Sequence, residues 1–311
     1  ITNENHRLTD VIVGNSFSFK SNINFRDLYD PISLFYYLRG KFPKKDKLQN
    51  QISNFKKVLL KYGIKIHDLD IINTNQIFAR DLGFIIENKF FISSILPDRE
   101  DEIEGLKNIL NNIKNIIKLP KDAHIEGGDV VLDHDNIFIG YYDQKDYKNQ
   151  ITARTNKKAI KLVKKHFPNK NVIPLELIKS PYLPNSNALH LDCCFQPVSE
   201  NKAVICKEAF KNSFELDLLI SHYGVKNIFE ISIKEMSKLY SNFFSIDKNI
   251  VVSDKRFHRL NKWLGSIGVK VEKINYSEVS KLGGLFRCST LPLIRKKDWN
   301  NNKMVYLLIY Y

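Results

Sequence analysis

A chain of 311 residues, 43% hydrophobic and 26% charged, is long enough for a large core in one domain, and no run of about 18 apolar residues is present to span a membrane. The net charge of +14 raises a nucleic-acid partner, but only ten of the 48 basic residues are Arg. The lysines are spread along the whole chain as a bias toward Lys and Asn would spread them, so no such partner is expected. Cys193, Cys194, Cys206 and Cys288 do not make a disulfide framework and point to a reducing, cytoplasmic setting; the start at Ile1 gives no weight to a missing signal segment.

No Pro/Gly/Ser-rich linker divides the sequence, so one continuous domain over 1–311 is expected. In chain order, "DKLQNQISNFKKVLLKYG" spaces its apolar residues as a helix does and stops at Gly63, after which "IKIHDLD" turns extended. "NQIFARDLGF" sets Arg80 and Asp81 in a strand-like stretch before "FIIENKFFIS", two apolar runs joined by a polar turn. "HIEGGDVVL" flanks Gly127 and Gly128 with Glu126 and Asp129 ahead of a second hairpin, "VVLDHDNIFIG". "ITARTN" places Arg154 before the helical "NKKAIKLVKKHF". "ALHLDCCFQP" reads as an apolar strand in which His190, Asp192 and Cys194 share one face, leading into a third hairpin, "FQPVSENKAVIC".

Two later units, "LDLLISHYG" with "VKNIFEI" and "RLNKWLGSIG" with "VKVEKIN", repeat the first: helix, glycine (Gly63, Gly224, Gly268), β-branched residue, Lys. The pattern predicts an α/β fold of about five modules of strand, loop, hairpin and helix in a ring or propeller. A doubly wound nucleotide fold is not expected, because neither GxGxxG nor GxxxxGK[ST] occurs.

Taken singly, each polar cluster has an ordinary structural reading. Cys288 in "KLGGLFRCST" fits a small buried residue, His190 and Asp192 a satisfied structural pair, and "EGGD" a turn capped by its acids. "HLDCC" lacks the CxxC or HxxxH spacing of zinc sites, so no metal is expected. Taken together they place a thiol, an imidazole, several carboxylates and an Arg at strand ends or loops of separate modules. Cys with His is the minimum for thiol nucleophilic catalysis. Nearby carboxylates raise a thiol's pKa, and a cationic substrate resolves that conflict by neutralising them as it binds. A planar cation with an electrophilic carbon, matched to carboxylates edge by edge, is a guanidinium.

The order "RD…EGGD…RTN…HLD…GGxxxC" resembles the guanidino-group modifying enzymes, the superfamily of arginine deiminase, arginine:glycine amidinotransferase and dimethylarginine dimethylaminohydrolase. The resemblance runs from "LTDVIVG" to "CSTLPL" and implies a five-bladed α/β propeller, the pentein fold, of ββαβ modules around a pseudo-fivefold axis. It implies Cys288 as nucleophile, His190 as the acid and base, and Glu126 as the residue that holds the guanidinium and orients His190. Asp81 and Asp192 would grip the guanidinium nitrogens, Arg154 and Arg99 would meet a substrate carboxylate, and Asp129 completes the binding set. No cofactor or metal is implied. The partner is a small guanidino compound, and a homo-oligomer is compatible with this reading.

An acid two residues after the His, here Asp192, is found in superfamily members acting on unmethylated guanidines. The resemblance therefore implies a hydrolase of arginine or a close relative. An amidinotransferase using an amine such as glycine is the alternative, and a non-catalytic binding protein on the same fold is the second.

Overall fold

A computed structural model describes residues 1–21 and 23–297; of the domain expected over 1–311, position 22 and residues 298–311 lie outside the described residues. Strand β1 (Arg7–Val13) leads through helices α1 (Pro31–Leu38) and α2 (Lys45–Lys61) to β2 (Lys65–His67), parallel to β1. The next four modules share one plan, an antiparallel hairpin followed by a crossover and a third strand parallel to the second. They are β3 (Gly83–Ile86), β4 (Lys89–Ile92), α3 (Lys107–Leu110) and β5 (Ile116–Lys118); then β6 (Val130–Asp133), β7 (Asn136–Tyr141), α4 (Lys157–His166) and β8 (Asn171–Glu176). The third is β9 (Phe195–Val198), β10 (Lys202–Ile205), α5 (Ser213–Tyr223) and β11 (Ile228–Glu230). After α6 (Ile233–Met236) come β12 (Phe244–Asp247), β13 (Ile250–Asp254), α7 (His258–Ser266) and β14 (Lys270–Ile274). Finally β15 (Thr290–Lys296) pairs antiparallel with β1, setting Lys296 opposite Arg7, so strands from early and late in the sequence complete the fifth sheet. The result is five three-stranded mixed sheets, each a ββαβ unit: the five-bladed α/β propeller.

Local chemistry explains the module. Asn156 caps α4 by accepting from the Ala159 N–H, and Asn212 caps α5 through the Phe214 and Glu215 N–H groups, each worth about 1 kcal/mol. Gly63, Gly224 and Gly268 take φ of +69°, +77° and +83° where α2, α5 and α7 give way to their third strands, which accounts for the repeated glycine. On α2, Leu48, Ile52, Phe55 and Leu59 form one buried stripe, and the Phe55 ring meets Phe244, Tyr276 and Phe286 edge-on. Among the described residues no helix is long and apolar enough to cross a membrane.

Two sequence expectations are corrected. "HLDCC" is not a strand: Leu191–Cys193 is a 3-10 turn, and β9 begins only at Phe195, so alternation along an extended chain does not bring His190 and Asp192 together. Ala79–Leu82, carrying Arg80 and Asp81, is likewise a 3-10 turn ahead of β3. In both, the compact turn gives its buried acid a partner: Asp81 meets Arg99 and Asp192 meets Arg287. A strand there would bury them between apolar layers without partners.

These turns share one position in every module, just before the first strand. They also touch one another in a closed circle. A Cβ on Gly127 would lie 2.2 Å from the Arg80 carbonyl, the Asp129 carboxylate accepts the Leu191 N–H at 2.9 Å, and Ser241 Oγ donates to the Asp192 carbonyl at 3.0 Å. Asn242 then binds Cys288 through both its backbone and its side chain, and the Cys288 carbonyl accepts the Arg80 N–H at 3.0 Å.

Candidate active site

Each lead-in turn delivers a side chain to the circle: Asp81 before β3, Glu126 before β6, His190 and Asp192 before β9, Asn242 before β12, and Cys288 before β15. A cavity of about 320 Å³ opens over it, lined by Cys288, His190, Asp81, Arg99, Arg154 and Gly284 among others. His190 Nε2 lies 2.7 Å from Glu126 Oε2, and its Nδ1 lies 3.8 Å from Asp81 Oδ1. Both Nδ1 and Asp81 Oδ1 are buried without a hydrogen-bond partner. Such atoms are costly to leave unpaired, and they stand ready for a ligand that donates and accepts in the cavity.

Glu126 is fully enclosed; burial alone would raise its carboxyl, but the Arg154 guanidinium and His190 outweigh this and hold it at about 2. Burial lowers the His190 pKa, yet the Asp81, Glu126 and Asp129 carboxylates more than reverse this, so the imidazolium is favoured. A hydrogen bond from Cys193 favours the Cys288 thiolate, whereas burial and the Asp192 and Asp81 carboxylates outweigh it and keep the thiol above its ordinary range. The site is therefore poised with a neutral thiol beside the Asp192 and Asp81 carboxylates, whose effect on the sulfur an incoming cation would offset.

Of the residues singled out by sequence, Cys288, His190, Glu126 and Asp81 come together. Asp192 arrives too, with its oxygens 3.8 and 3.9 Å from Cys288 Sγ, but it is fully buried and paired with Arg287 Nη1 at 2.8 Å. Asp129 stands behind the turn, where it accepts from Thr155 Oγ1 at 2.7 Å and from the Leu191 N–H, and so fixes the loop carrying His190. Arg154 reaches the cavity, but its donors are engaged: Nη1 on Glu126 at 3.1 Å, Nε on the Ile151 carbonyl and Nη2 on the Tyr29 carbonyl. Arg99 chelates Glu102 through Nε and Nη2 at 2.8 and 2.9 Å and holds Asp81 Oδ2 through Nη1 at 3.0 Å. Asp81, Glu126 and His190 offer ligand atoms within 4.8 Å of one another, as a metal would need. A cation there would compete with the Arg154 guanidinium already bound to Glu126.

Sequence reasoning missed two residues. Asn242 Nδ2 donates to Cys288 Sγ at 3.1 Å while its Oδ1 accepts the Cys288 and Leu285 N–H groups, so one amide fixes both the thiol and its backbone. Arg287, one residue before the thiol, is fully buried and holds Asp192 on one side and Glu4 on the other. Asn242 left no signal in an Asn-rich chain; Arg287 did, as an Arg inside a motif of an Arg-poor sequence.

The glycines of "EGGD" are explained by close approach. A Cβ at Gly128 would sit 2.7 Å from His190 Cγ and Nδ1. Gly128→Ala is accordingly expected to push the imidazole off Glu126 and to lower activity on a guanidino substrate by about 100-fold, since misplacement by about 1 Å costs that much. The check is kcat beside the melting temperature: loss of activity without comparable loss of stability identifies displacement of His190.

The geometry can be set beside known proteins. Residues 43–295 match the family model for N,N dimethylarginine dimethylhydrolase, eukaryotic. The chain is 33% identical over 221 residues, 71% of its own length and 70% of the relative's, to the uncharacterized protein YkgA of Bacillus subtilis (strain 168). It is 26% identical over 215 residues to arginine deiminase of Streptococcus gordonii, covering 60% of this chain and 50% of that enzyme. In three dimensions it resembles the N-terminal domain of ArgZ, an arginine dihydrolase of cyanobacteria, with substrate bound: TM-score 0.76 at 16% identity, over 92% of this chain and 98% of that one.

Proposed function

The chain belongs to the dimethylarginine dimethylhydrolase family of the guanidino-group modifying enzymes, and from that premise we propose that it hydrolyses a guanidino compound, arginine or a close relative, through a covalent intermediate on Cys288. The observation that carries this reading is that lead-in turns of three modules bring Cys288, His190 and Asp81 to one cavity, with Glu126 of a fourth bonded to His190. There Cys288 stands with the His190–Glu126 pair and with two buried, unpartnered atoms, His190 Nδ1 and Asp81 Oδ1.

The guanidinium enters as a cation, and Asp81 Oδ1 accepts an N–H that supplies its missing hydrogen bond. Its charge offsets the carboxylates, so the Cys288 thiol releases its proton to solvent water in the open cavity and the thiolate adds to the guanidinium carbon. His190, held by Glu126, donates a proton to the departing nitrogen as the C–N bond breaks, leaving an S-alkylthiouronium and ammonia. Water then gives a proton to His190, adds to the same carbon and releases the thiolate with a ureido product. Arg154 and Arg99 act in this scheme as counter-charges that fix Glu126 and Asp81. Asp192, held by Arg287, adds negative charge beside the sulfur.

Asp192 stands two residues after His190, as an acid does in superfamily members acting on unmethylated guanidines, and so favours arginine, while the name of the matched family brings in N,N-dimethylarginine as a second substrate to test. Purified protein is incubated with arginine, dimethylarginine and other guanidino compounds, with and without glycine, and products are followed by mass. Release of citrulline and ammonia from arginine supports the proposal. Dimethylamine release from dimethylarginine alone would move the substrate, turnover only with glycine would make the protein an amidinotransferase, and no turnover of any guanidine would sink the enzymatic reading.

A further inference from the structure

Around the Asp192–Arg287 pair lies a cluster of buried charge, most of which the chemistry above does not use. Arg80, Arg287 and Arg295 are 4%, 0% and 8% exposed, and the acids set among them are Glu4 at 5% and Asp192 at 0%. Arg287 takes both acids, Asp192 through Nη1 and Glu4 through Nη2, each at 2.8 Å, and also donates to the Val130 carbonyl. Arg80 donates from Nε to the Arg287 carbonyl, and Arg295 donates to the carbonyls of His6 and Ser245. Neither Arg80 nor Arg295 therefore has a direct carboxylate partner among the described residues. Asp247 acts on Arg295 only at longer range, from a half-buried position.

Three guanidiniums thus face two carboxylates, and the donors are left over as well as the charge. Arg80 Nη2, Arg287 Nε and Arg295 Nε are all buried with no hydrogen-bond partner. Two of these three residues, with Glu4, line a small cavity of about 10 Å³ whose other walls include Phe84, Val130 and Leu132. Burial, reinforced by the neighbouring Arg287, pushes Arg80 down to about 9; burial, with Arg287 again contributing, takes Arg295 down to about 10. Both remain charged at neutral pH, so the excess is real rather than relieved by proton loss.

We propose that this cavity is a binding site for a single monatomic anion, chloride or a similar halide, held between the free N–H groups of Arg80 and Arg295. A space of about 10 Å³ is at the lower limit for one water-sized guest, so it takes a monatomic ion only as the arginine side chains give slightly and excludes nitrate, phosphate or a carboxylate. Water would fill the space and accept the hydrogen bonds but would leave the positive charge unbalanced in a low-dielectric interior, where an uncompensated ion costs several kcal/mol. A halide meets both requirements, and the aliphatic and aromatic walls suit a polarisable ion. The anion would balance the arginine cluster through which Arg287 holds Asp192 beside Cys288.

The test uses the whole protein, exchanged into gluconate, an anion too large for the cavity, and then titrated with chloride at constant ionic strength. The melting temperature is expected to rise by about 2–4 °C once free chloride reaches about five times its Kd, and to keep rising with the logarithm of chloride beyond that. Arg80→Met should abolish the rise, and crystals grown in bromide should show anomalous scattering between Arg80 Nη2 and Arg295 Nε. A water at that point with no anomalous signal, or an equal rise in Arg80→Met, overturns the proposal. Should Arg80→Met not fold, bromide scattering in the unmodified protein decides alone. None of these readouts depends on turnover, so failure here is separate from failure of the hydrolase reading.

Discussion

Cys288→Ser is expected to retain the fold and to lose turnover of arginine by about four orders of magnitude or more. A serine hydroxyl at this point inherits the Asn242 contact, 3.1 Å in the native thiol, so the backbone clamp through the Leu285 and Cys288 N–H groups stays in place. What it lacks is an accessible anion. The thiol itself is held above its ordinary range by burial and by Asp192 and Asp81, against a favourable bond from Cys193. A bound cation can bring the thiol within reach of neutral pH, but not a hydroxyl.

The same argument separates two labels. A cationic haloacetamidine should modify Cys288 rapidly, with protection by arginine, while neutral iodoacetamide at the same pH reacts slowly because nothing offsets the carboxylates. Mass analysis of the labelled peptide and single-turnover assays of both proteins make the comparison. Equal rates with the two reagents would refute the cation-assisted thiolate. Turnover by Cys288→Ser above about 1% of the parent would refute the nucleophile, since losing one normally removes most of the rate.

How much of this could be read from the sequence depends on where the information sits. The helices ending at Gly63, Gly224 and Gly268 and the three hairpins from Phe84 to Cys206 are written locally, in periodicity and turn chemistry, and they stand as elements in the structure. The fifth sheet has no local signature, because β1 and β15 pair residues as distant as Arg7 and Lys296. The "HLDCC" turn was misread because alternating polar and apolar residues describe an inward-facing 3-10 turn as well as a strand. The order of the polar motifs pointed to Cys288, His190, Glu126 and Asp81, which the ring does bring to one place, since each precedes the first strand of a different sheet. The pairing of Arg99, Arg154 and Arg287 with buried acids was not visible: which cation meets which carboxylate is set by the ring's geometry, not by spacing along the chain.

Arg287→Met is expected to be the most destabilising single change near the site. Arg287 is fully buried, and truncating it strands Asp192 and Glu4, each of which it holds at 2.8 Å. Breaking a buried ion pair in this way costs about 3–5 kcal/mol, because the remaining charge stays desolvated. At about 2–4 °C per kcal/mol for a large domain, the melting temperature should fall by roughly 10 °C. Arg80 offsets part of this through its field at both acids, although no hydrogen bond from it reaches either.

The pH dependence gives the diagnostic sign. Burial alone would raise the Glu4 carboxyl, but Arg287, then Arg80 and Arg295, hold it at about 2, below its ordinary 4.5. Its contribution to stability is thus full above 4.5 and is lost as pH falls toward 2. With Arg287 gone, burial prevails and Glu4 favours its neutral form, so the variant recovers stability on acidification where the parent loses it. The gap between the two melting temperatures should therefore narrow as pH falls from neutral to about 3. A gap that stays constant would mean that Arg287 stabilises by packing rather than by charge. Glu4→Gln combined with Arg287→Met should cost less than the sum of the two changes, because the carboxylate that Arg287 would strand is already absent.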